Sequence, residues 1–299
     1  MPRTYWTLLI IGNVFWAGIL TINKALEPYL TYSAIVTLRF ALSAIPFLLV
    51  WRWLPGSPLS SKEIIRSACM GVVVFVVGQR LQVMGNHMNT AGNASVLMGF
   101  EPVLTSLAAA LFLNERIPKR RWIGFVFCLA GLMLLNRFWS PDFHWTGLWP
   151  SLVFVASFLC ESVYSIIGKP LSRTTSPYRV VGVSLLAATA VNFLLVGTDV
   201  IEQSMKLPVW GWGCLVYLSL LCTVAGYLLW LLVLAKADVN LVALTVFVQP
   251  VAGVVIAWVY LRENPHWGQF WGALAIAAGL WFGSERTPPP KPSRDSAQS

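Results

Sequence analysis

Two apolar runs joined by a basic link make up residues 91–135, AGNASVLMGFEPVLTSLAAALFLNERIPKRRWIGFVFCLAGLMLL. The runs, 91–113 and 122–138, each approach the roughly 20 residues that an α-helix needs to cross a bilayer core of about 30 Å. Four of the eight residues between them are basic, and Glu101-Pro102 stands in the middle of the first run. The stretch therefore predicts a membrane-spanning helical hairpin whose basic turn lies in water.

The composition of the whole chain agrees with a membrane protein. Of its 299 residues, 57% are hydrophobic and only 11% are charged, whereas a soluble domain carries about 25% charged residues. So few charges cannot cover a water-facing surface, which excludes an ordinary soluble enzyme and a disordered protein. The net charge of +9 lies in short loops rather than on one solvated face, so no nucleic-acid partner is expected.

Runs long enough to cross a bilayer occur ten times, which predicts an all-α polytopic protein with ten transmembrane helices. They are 5–22, 32–53, 67–85, 91–113, 122–138, 147–168, 179–198, 210–234, 240–261 and 267–284. The first run has no small-residue cleavage site after it, so it is predicted to be a retained helix rather than a signal peptide. The proline-rich tail, 285–299, is predicted to be disordered and cytoplasmic.

The basic residues predict which side of the membrane each loop occupies. Fifteen Lys and Arg fall on the side of both termini: Arg3, Arg52, Lys62, Arg66, Arg116, Lys119, Arg120, Arg121, Lys169, Arg173, Arg179, Lys236, Arg286, Lys291 and Arg294. Four fall on the other side: Lys24, Arg137, Lys206 and Arg262. Because positive residues stay in the cytoplasm, both termini are predicted to be cytoplasmic.

The chain also contains an internal repeat. Residues 91–135 and 239–283 share nine identities at an offset of 148. The matched positions are Pro102/Pro250, Val103/Val251, Ala109/Ala257, Leu113/Leu261, Glu115/Glu263, Gly124/Gly272, Ala130/Ala278, Gly131/Gly279 and Leu132/Leu280. Two repeats, 5–138 and 147–284, would each hold five helices, so the second enters the membrane from the opposite face. Secondary transporters with such inverted repeats bind substrate near the bilayer midplane.

The repeated stretch resembles a known family. Residues 91–135 are similar to the C-terminal part of an EamA repeat of the drug/metabolite transporter superfamily, and 239–282 resemble the same part of a second repeat. Residues 12–24, GNVFWAGILTINK, and 38–40, LRF, fit the first two helices of the family. The resemblance covers about 5–284. It implies ten helices in two EamA repeats and efflux or exchange of a small molecule across the cytoplasmic membrane.

One position departs from the family pattern. Aligning Lys24 with Lys169, at an offset of 145, places Trp16 opposite Glu161. The second repeat of the family typically carries an aromatic residue there. A carboxylate in mid-span is therefore a special feature of this chain.

Four charged residues fall inside the apolar spans: Glu101, Glu161, Arg39 and Arg80. Each costs about 2.5–3.5 kcal/mol at a helix centre, so they should face a cavity or one another. Glu101 and Glu161 are candidate sites for a proton or a cationic substrate, because burial favours the neutral carboxyl and a nearby cation favours the ionised one. Arg39 would hold a substrate carboxylate or serve as a counter-ion to a Glu. The alternatives are a static pair of Arg39 with Glu101 or Glu161, and an Arg80 that reaches the membrane interface.

Two prolines suggest a polar wall at mid-depth. Pro102 and Pro250 each remove a backbone hydrogen bond and clash with the carbonyl four residues earlier. Irregular backbone at that depth is tolerated in protein or beside a watery cavity. Glu101 and Gln249, which precede the prolines, would then form two related polar points; a kink that only shapes packing is the alternative.

Three further residues could line the substrate path. Trp16 and Asn13 lie deep in the first span, and Tyr164 lies in the sixth. Packing inside the bundle is the alternative for each. Gly268xxxGly272 and Gly279xxxGly283 of the last span allow close helix approach, either within the bundle or at the seam of a homodimer.

Neither a cofactor nor a metal ion is expected. The cysteines lie in apolar runs without CxxC spacing, and no GxxxxGK[ST] stretch occurs. An intramembrane enzyme would need a nucleophile with a base, or a metal cluster, at membrane depth. His87, His144 and His266 fall outside the predicted spans, so the chain is not expected to be an enzyme.

The leading hypothesis is therefore a secondary transporter that exports a small metabolite by alternating access, with proton coupling through the two Glu residues. An amino acid, an aromatic compound or an organic cation would each suit a pocket of carboxylates, Arg and aromatic rings. A flippase for a lipid-linked sugar is the second candidate. A scaffold or receptor would have no use for charges and prolines at mid-span in both halves.

Overall fold

The computed structural model describes residues 3–141, 143–196, 199–261 and 266–284. All regular elements in these ranges are helices, as predicted. Ten of them are long: α1 (Thr4–Leu26), α2 (Tyr32–Trp53), α3 (Ser61–Met88), α4 (Ala91–Leu113), α5 (Lys119–Leu135), α6 (Leu148–Thr174), α7 (Pro177–Val196), α8 (Val209–Leu234), α9 (239–261) and α10 (Trp267–Ser284). A short helix, Asp199–Met205, lies between α7 and α8.

Eight of these helices, α1 to α4 and α6 to α9, are long and apolar enough to cross a membrane. The other two, α5 and α10, have 17 and 18 residues, and their role as full spans stays a prediction. Every predicted span corresponds to a helix, but α3 begins earlier and ends later than predicted. His87 therefore lies in the last turn of α3 and not in a loop, with its Nε2 3.1 Å from the carbonyl oxygen of Asn23. The predicted tail and the connection with Arg262 and Glu263 lie outside the described residues.

Glycines bring α5 and α10 into backbone contact. A Cβ atom added to Gly131 would lie 2.6 Å from the carbonyl oxygen of Gly272, and one added to Gly124 would lie 2.7 Å from that of Gly279. The small residues of the last span are thus used for packing inside the chain, which is the first of the two alternatives considered above.

Helical irregularities recur at matching places of the two halves. A wider π-helical turn interrupts α3 at Val73–Gly78 and α8 at Leu218–Ala225. Likewise, α4 breaks at Gly99, just before Glu101-Pro102, and α9 narrows to a 3₁₀ turn at Thr245–Phe247, just before Gln249-Pro250. Proline lacks the amide hydrogen that would continue the helical bonding, and π turns are frequent at functional sites. The irregular turns lie within two residues of Gln79, Glu101 and Gln249 in the chain.

The connections gather at two ends of the bundle. At one end Lys24 Nζ donates to the carbonyl oxygen of His87 at 2.7 Å, and the backbone N–H of Thr31 donates to Gln203. At the other end Arg179 Nη2 donates to the carbonyl oxygen of Leu54 at 2.9 Å. We call the first the Lys24 end and the second the Glu115 end, after the residue in its α4–α5 connection.

Candidate functional site

A cavity lies in the middle of the bundle. Its wall is formed by α1, α3 and α4 from the first half and by α6, α8 and α9 from the second. Each half therefore contributes three helices to one chamber.

Residues at equivalent positions of the two halves face each other across this cavity. Twelve of its fourteen lining residues form six such pairs. At an offset of 145 they are Trp16/Glu161, Ile19/Tyr164 and Leu20/Ser165; at an offset of 148 they are Gln79/Tyr227, Gln82/Trp230 and Glu101/Gln249, with Met98 and Thr105 completing the wall. The wall thus follows the internal repeat residue by residue.

The cavity is reached from the Lys24 end. A second space of about 1,200 Å³ shares Trp16, Leu20, Met98 and Gln249 with the cavity. It extends to polar residues at the ends of the helices: Lys24, Asn86, Asn136 and Gln269. A solute at that end can therefore approach the two Glu residues.

A cluster of polar contacts, the Glu115 cluster, joins the two halves at the opposite end. Lys169 Nζ of α6 lies 2.6 Å from a carboxylate oxygen of Glu115, and both side chains are more than 90% buried. Glu115 also accepts hydrogen bonds from the backbone N–H of Val239 at 3.1 Å and from the side chain of Asn240 at 3.0 Å. Arg121 Nη1 donates to the carbonyl oxygen of Asn240 at 3.4 Å.

The two predicted carboxylates both face the cavity, but with different surroundings. Glu161 accepts hydrogen bonds from the Tyr227 hydroxyl, at 3.0 and 3.1 Å to its two oxygens, and from Gln79 Nε2. Glu101 is half-buried and forms no hydrogen bond or ion pair with another described residue. Glu101 is thus the carboxylate that is free to receive a ligand.

Arg39 lies behind the cavity wall. It is 1% exposed, its Nε donates to Thr223 Oγ1 and its Nη1 donates to Gln79 Oε1, both at 2.8 Å. Since Gln79 in turn donates to Glu161, the Arg and the Glu are joined through an amide. The direct ion pair of Arg39 with Glu101 or Glu161, considered as an alternative, is absent from the described residues.

Four other predicted residues lie outside the wall. Arg80 points towards α7, where Nη2 lies 3.4 Å from the carbonyl oxygen of Asn192. Asn13 is buried and accepts a hydrogen bond from Gln249 Nε2 at 3.0 Å. Pro102 is buried beside Glu101, whereas Pro250 lines the space at the Lys24 end, together with Gln249.

Aromatic rings form one side of the chamber. Trp16 packs against Tyr227 and Trp230, with ring centroids 5.6 and 5.5 Å apart, and its Nε1 donates to the carbonyl oxygen of Cys222 at 2.6 Å. The centroid of Tyr164 lies 4.8 Å from that of Tyr227. Trp16 and Tyr164 therefore line the cavity as well as pack.

The sequence reasoning missed Gln79, Tyr227 and Trp230 as members of the site. Gln79 lies beside Arg80 in the chain but is uncharged, so the criterion of a charge at mid-depth does not select it. Tyr227 and Trp230 lie in an apolar run, where the sequence does not distinguish rings that face a cavity from rings that face lipid. The offset of 148 relates Gln79 to Tyr227, so once one of the two is known to belong to the site the other follows. It also maps Gln82 onto Trp230.

The described lining of the cavity determines which ligands it could bind. It contains two carboxylates and no Lys, Arg or His. Within the described ranges, no group of three or more His, Cys, Asp and Glu could hold a metal ion. Two carboxyl groups beside aromatic rings suit a proton or a cation.

Comparison with known proteins identifies the family. The model of the EamA-like transporter family matches residues 4–137 and 148–284. An uncharacterized transporter of Archaeoglobus fulgidus is 21% identical over 258 residues, which is 86% of this chain and 90% of that protein. A protein of Streptantibioticus cattleyicolor named a probable terminal-alkyne amino-acid exporter is 28% identical over 66% of this chain and 65% of its own length.

A third relative, a probable amino-acid metabolite efflux pump of Salmonella typhimurium, is 25% identical over 64% of this chain and 67% of its own length. One solved crystal structure has the same fold, with a TM-score of 0.71 and 17% identity over 95% of this chain and 97% of that one. The resemblance to EamA repeats is thus confirmed over nearly the whole chain. The chain belongs to the EamA-like transporter family and is a multi-pass membrane transporter.

Proposed function

We propose that the chain exports a small metabolite across the cytoplasmic membrane by alternating access, in exchange for protons. The binding site is the central cavity around Glu101 and Glu161. The observation that carries the proposal is the cavity itself, which is lined by equivalent residues of both halves and shares lining residues with a space at the Lys24 end. Related halves that rock around a shared chamber are the basis of alternating access in secondary transporters.

The orientation follows from the distribution of basic residues. The predicted topology assigns fifteen Lys and Arg to the side of the Glu115 end and four to the side of the Lys24 end. The Glu115 end therefore faces the cytoplasm. Both termini are then cytoplasmic, and the repeats 5–138 and 147–284 are inverted with respect to each other. In this orientation the cavity is open to the outside and closed to the cytoplasm.

The Glu115 cluster is the cytoplasmic gate in this proposal. It links the α4–α5 connection of the first repeat to α6 and α9 of the second through Lys169, Val239 and Asn240. Cargo from the cytoplasm reaches Glu101 only after these contacts separate. A buried ion pair has the property that such a gate needs, since its separation is costly in a dry interior but compensated by water when the mouth opens.

Proton exchange is assigned to the two carboxyl groups. Glu101 has no hydrogen-bond or ion-pair partner among the described residues and can carry a proton when the site is empty, whereas Glu161 accepts hydrogen bonds from Tyr227 and Gln79. Binding of cargo and binding of a proton then compete for the same group. Cargo leaves outwards as a proton enters the site, and the proton leaves when new cargo binds from the cytoplasm.

Reconstitution in liposomes tests this mechanism. We expect Glu101→Gln and Glu161→Gln to abolish transport driven by a pH gradient while the protein still folds and inserts. The matched control is Glu202→Gln, because Glu202 is exposed near the Lys24 end and pairs only with Lys206. Full gradient-driven transport by both cavity variants would refute proton coupling through these residues.

A further inference from the structure

We infer that the cavity selects an organic cation: a small amine or quaternary ammonium compound with an apolar or aromatic body and no free carboxylate. The inference rests on the proposed function and names the substrate class of the same site. This substrate class differs from the one that the names of two relatives indicate, since those names refer to amino-acid compounds.

The charges at the wall favour a cation. Glu101 and Glu161 are the two charged residues among those that line the cavity. The nearest buried cation, Arg39, is covered by protein and already donates to Thr223 and Gln79. Among the described lining residues, a cargo carboxylate would therefore meet two acidic groups and no accessible positive group.

Most hydrogen-bond donors of the wall are already engaged; among the described lining residues, the Gln82 amide and the Ser165 hydroxyl are the ones that donate no hydrogen bond. Gln79 Nε2 and the Tyr227 hydroxyl donate to Glu161, and Gln249 Nε2 donates to Asn13. The indole N–H groups of Trp16 and Trp230 donate to the carbonyl oxygen of Cys222 and to Ser165 Oγ. The hydroxyl of Tyr164 donates to the carbonyl oxygen of Tyr227. A wall with few free donors and a free carboxylate offers acceptors to its guest. An ammonium group, which has donors only, fits such a wall, and a carboxylate does not.

The aromatic side of the chamber accommodates the rest of the molecule. Trp16, Tyr227 and Trp230 form a continuous set of rings with centroids 5.5–5.6 Å from Trp16. Faces of such rings attract cations, and their area buries an apolar body. Glu101 would neutralise the ammonium group while the rings cover the body of the cargo.

The test compares three probes that share a phenyl ring and a short chain. They are phenethyltrimethylammonium, a permanent cation; the trimethyl betaine of phenylalanine, which adds a carboxylate; and 3-phenylpropionate, which has the carboxylate alone. Binding to the purified full-length chain is measured by calorimetry. We expect the cation to bind at least tenfold more tightly than the betaine and more tightly still than the anion.

Matched variants tie the preference to the cavity. Glu101→Gln should remove the tenfold preference, Glu101→Asp should keep it, and Glu202→Gln should leave it unchanged. Equal or tighter binding of the betaine or the anion overturns the inference. Absence of binding by all three probes up to about 10 mM, which is well above a Kd of about 1 mM, also overturns it.

Flux measurements separate this inference from the proposed function. If the cation binds selectively but proteoliposomes move none of the probes, the substrate class stands and the transport mechanism fails. If the betaine is transported at least as fast as the cation, the transport mechanism stands and the substrate class fails.

Discussion

Gln79 and Tyr227 occupy equivalent positions of the two repeats, 148 residues apart, and both donate a hydrogen bond to the carboxylate of Glu161. One carboxylate is thus held by one residue of each half. A movement of one half against the other changes this arrangement directly. Under the proposed mechanism, we expect this relationship to couple the charge state of Glu161 to the relative position of the repeats.

Removal of one of these donors should weaken that coupling. In Tyr227→Phe the carboxylate loses a hydrogen bond from a neutral donor, which is worth about 1.5–3 kcal/mol for a charged acceptor. We expect proton-driven transport to fall by roughly 10- to 100-fold and its pH profile to move. Tyr29→Phe is the control, since Tyr29 packs against Trp210 near the Lys24 end. An unchanged pH profile in Tyr227→Phe would contradict this role.

Loss of the Lys169 ammonium group should open the Glu115 end. Breaking a buried ion pair by removing one partner costs about 3–5 kcal/mol, and here that cost falls on the closed state. The reporter is a cysteine that replaces Ser165 in a background without the native cysteines. In Lys169→Met this cysteine should react faster with a membrane-impermeant maleimide applied from the Glu115 end. Lys206→Met removes a partner from an equally short but exposed pair and should not change the rate. Equal labelling of both variants would show that the cluster does not control access.

The two arginines of the spans should differ sharply. Arg39→Met deprives Gln79 and Thr223 of their partner in a buried place, so we expect at least a tenfold loss of transport, with cargo preference unchanged. Arg80→Met removes only a long contact with the carbonyl of Asn192, and its activity should stay within about threefold of the parent, the range of weak surface interactions. Transport rates in proteoliposomes, normalised to inserted protein, distinguish the two. A larger loss of transport in Arg80→Met than in Arg39→Met would contradict this expectation.

Close packing between α5 and α10 predicts a stability effect. A methyl group at Gly131 would lie 2.6 Å from the carbonyl oxygen of Gly272, and overpacking of this kind costs about 1–3 kcal/mol. Gly131→Ala should therefore lower the apparent Tm in detergent. Gly213→Ala is matched to it, because nothing lies within 4 Å of an added Cβ there and alanine favours helix. If both variants melt at the same temperature, the glycine contact contributes nothing.

The sequence predicts the helices well and the cavity wall only in part. Apolar length sets where helices lie, and a costly polar group at mid-depth must face a cavity, which is why Glu101, Glu161 and Gln249 were found. Depth does not reveal which way a side chain points around its helix. Arg39 and Asn13 are at the right depth but stand behind the wall, and Arg80 faces α7. Tyr227 and Trp230 could not be told from lipid-facing rings without the repeat register.

The change of register from 145 to 148 residues has a practical consequence. Between the Trp16/Glu161 and Gln79/Tyr227 pairs, the second half has gained three residues, in an interval that includes the short helix Asp199–Met205. The α7–α8 connection, which contains this helix, is longer than the α2–α3 connection of the first half, although both halves line one chamber. It is therefore the place where an epitope or a fluorescent tag can be inserted to follow the protein in living cells.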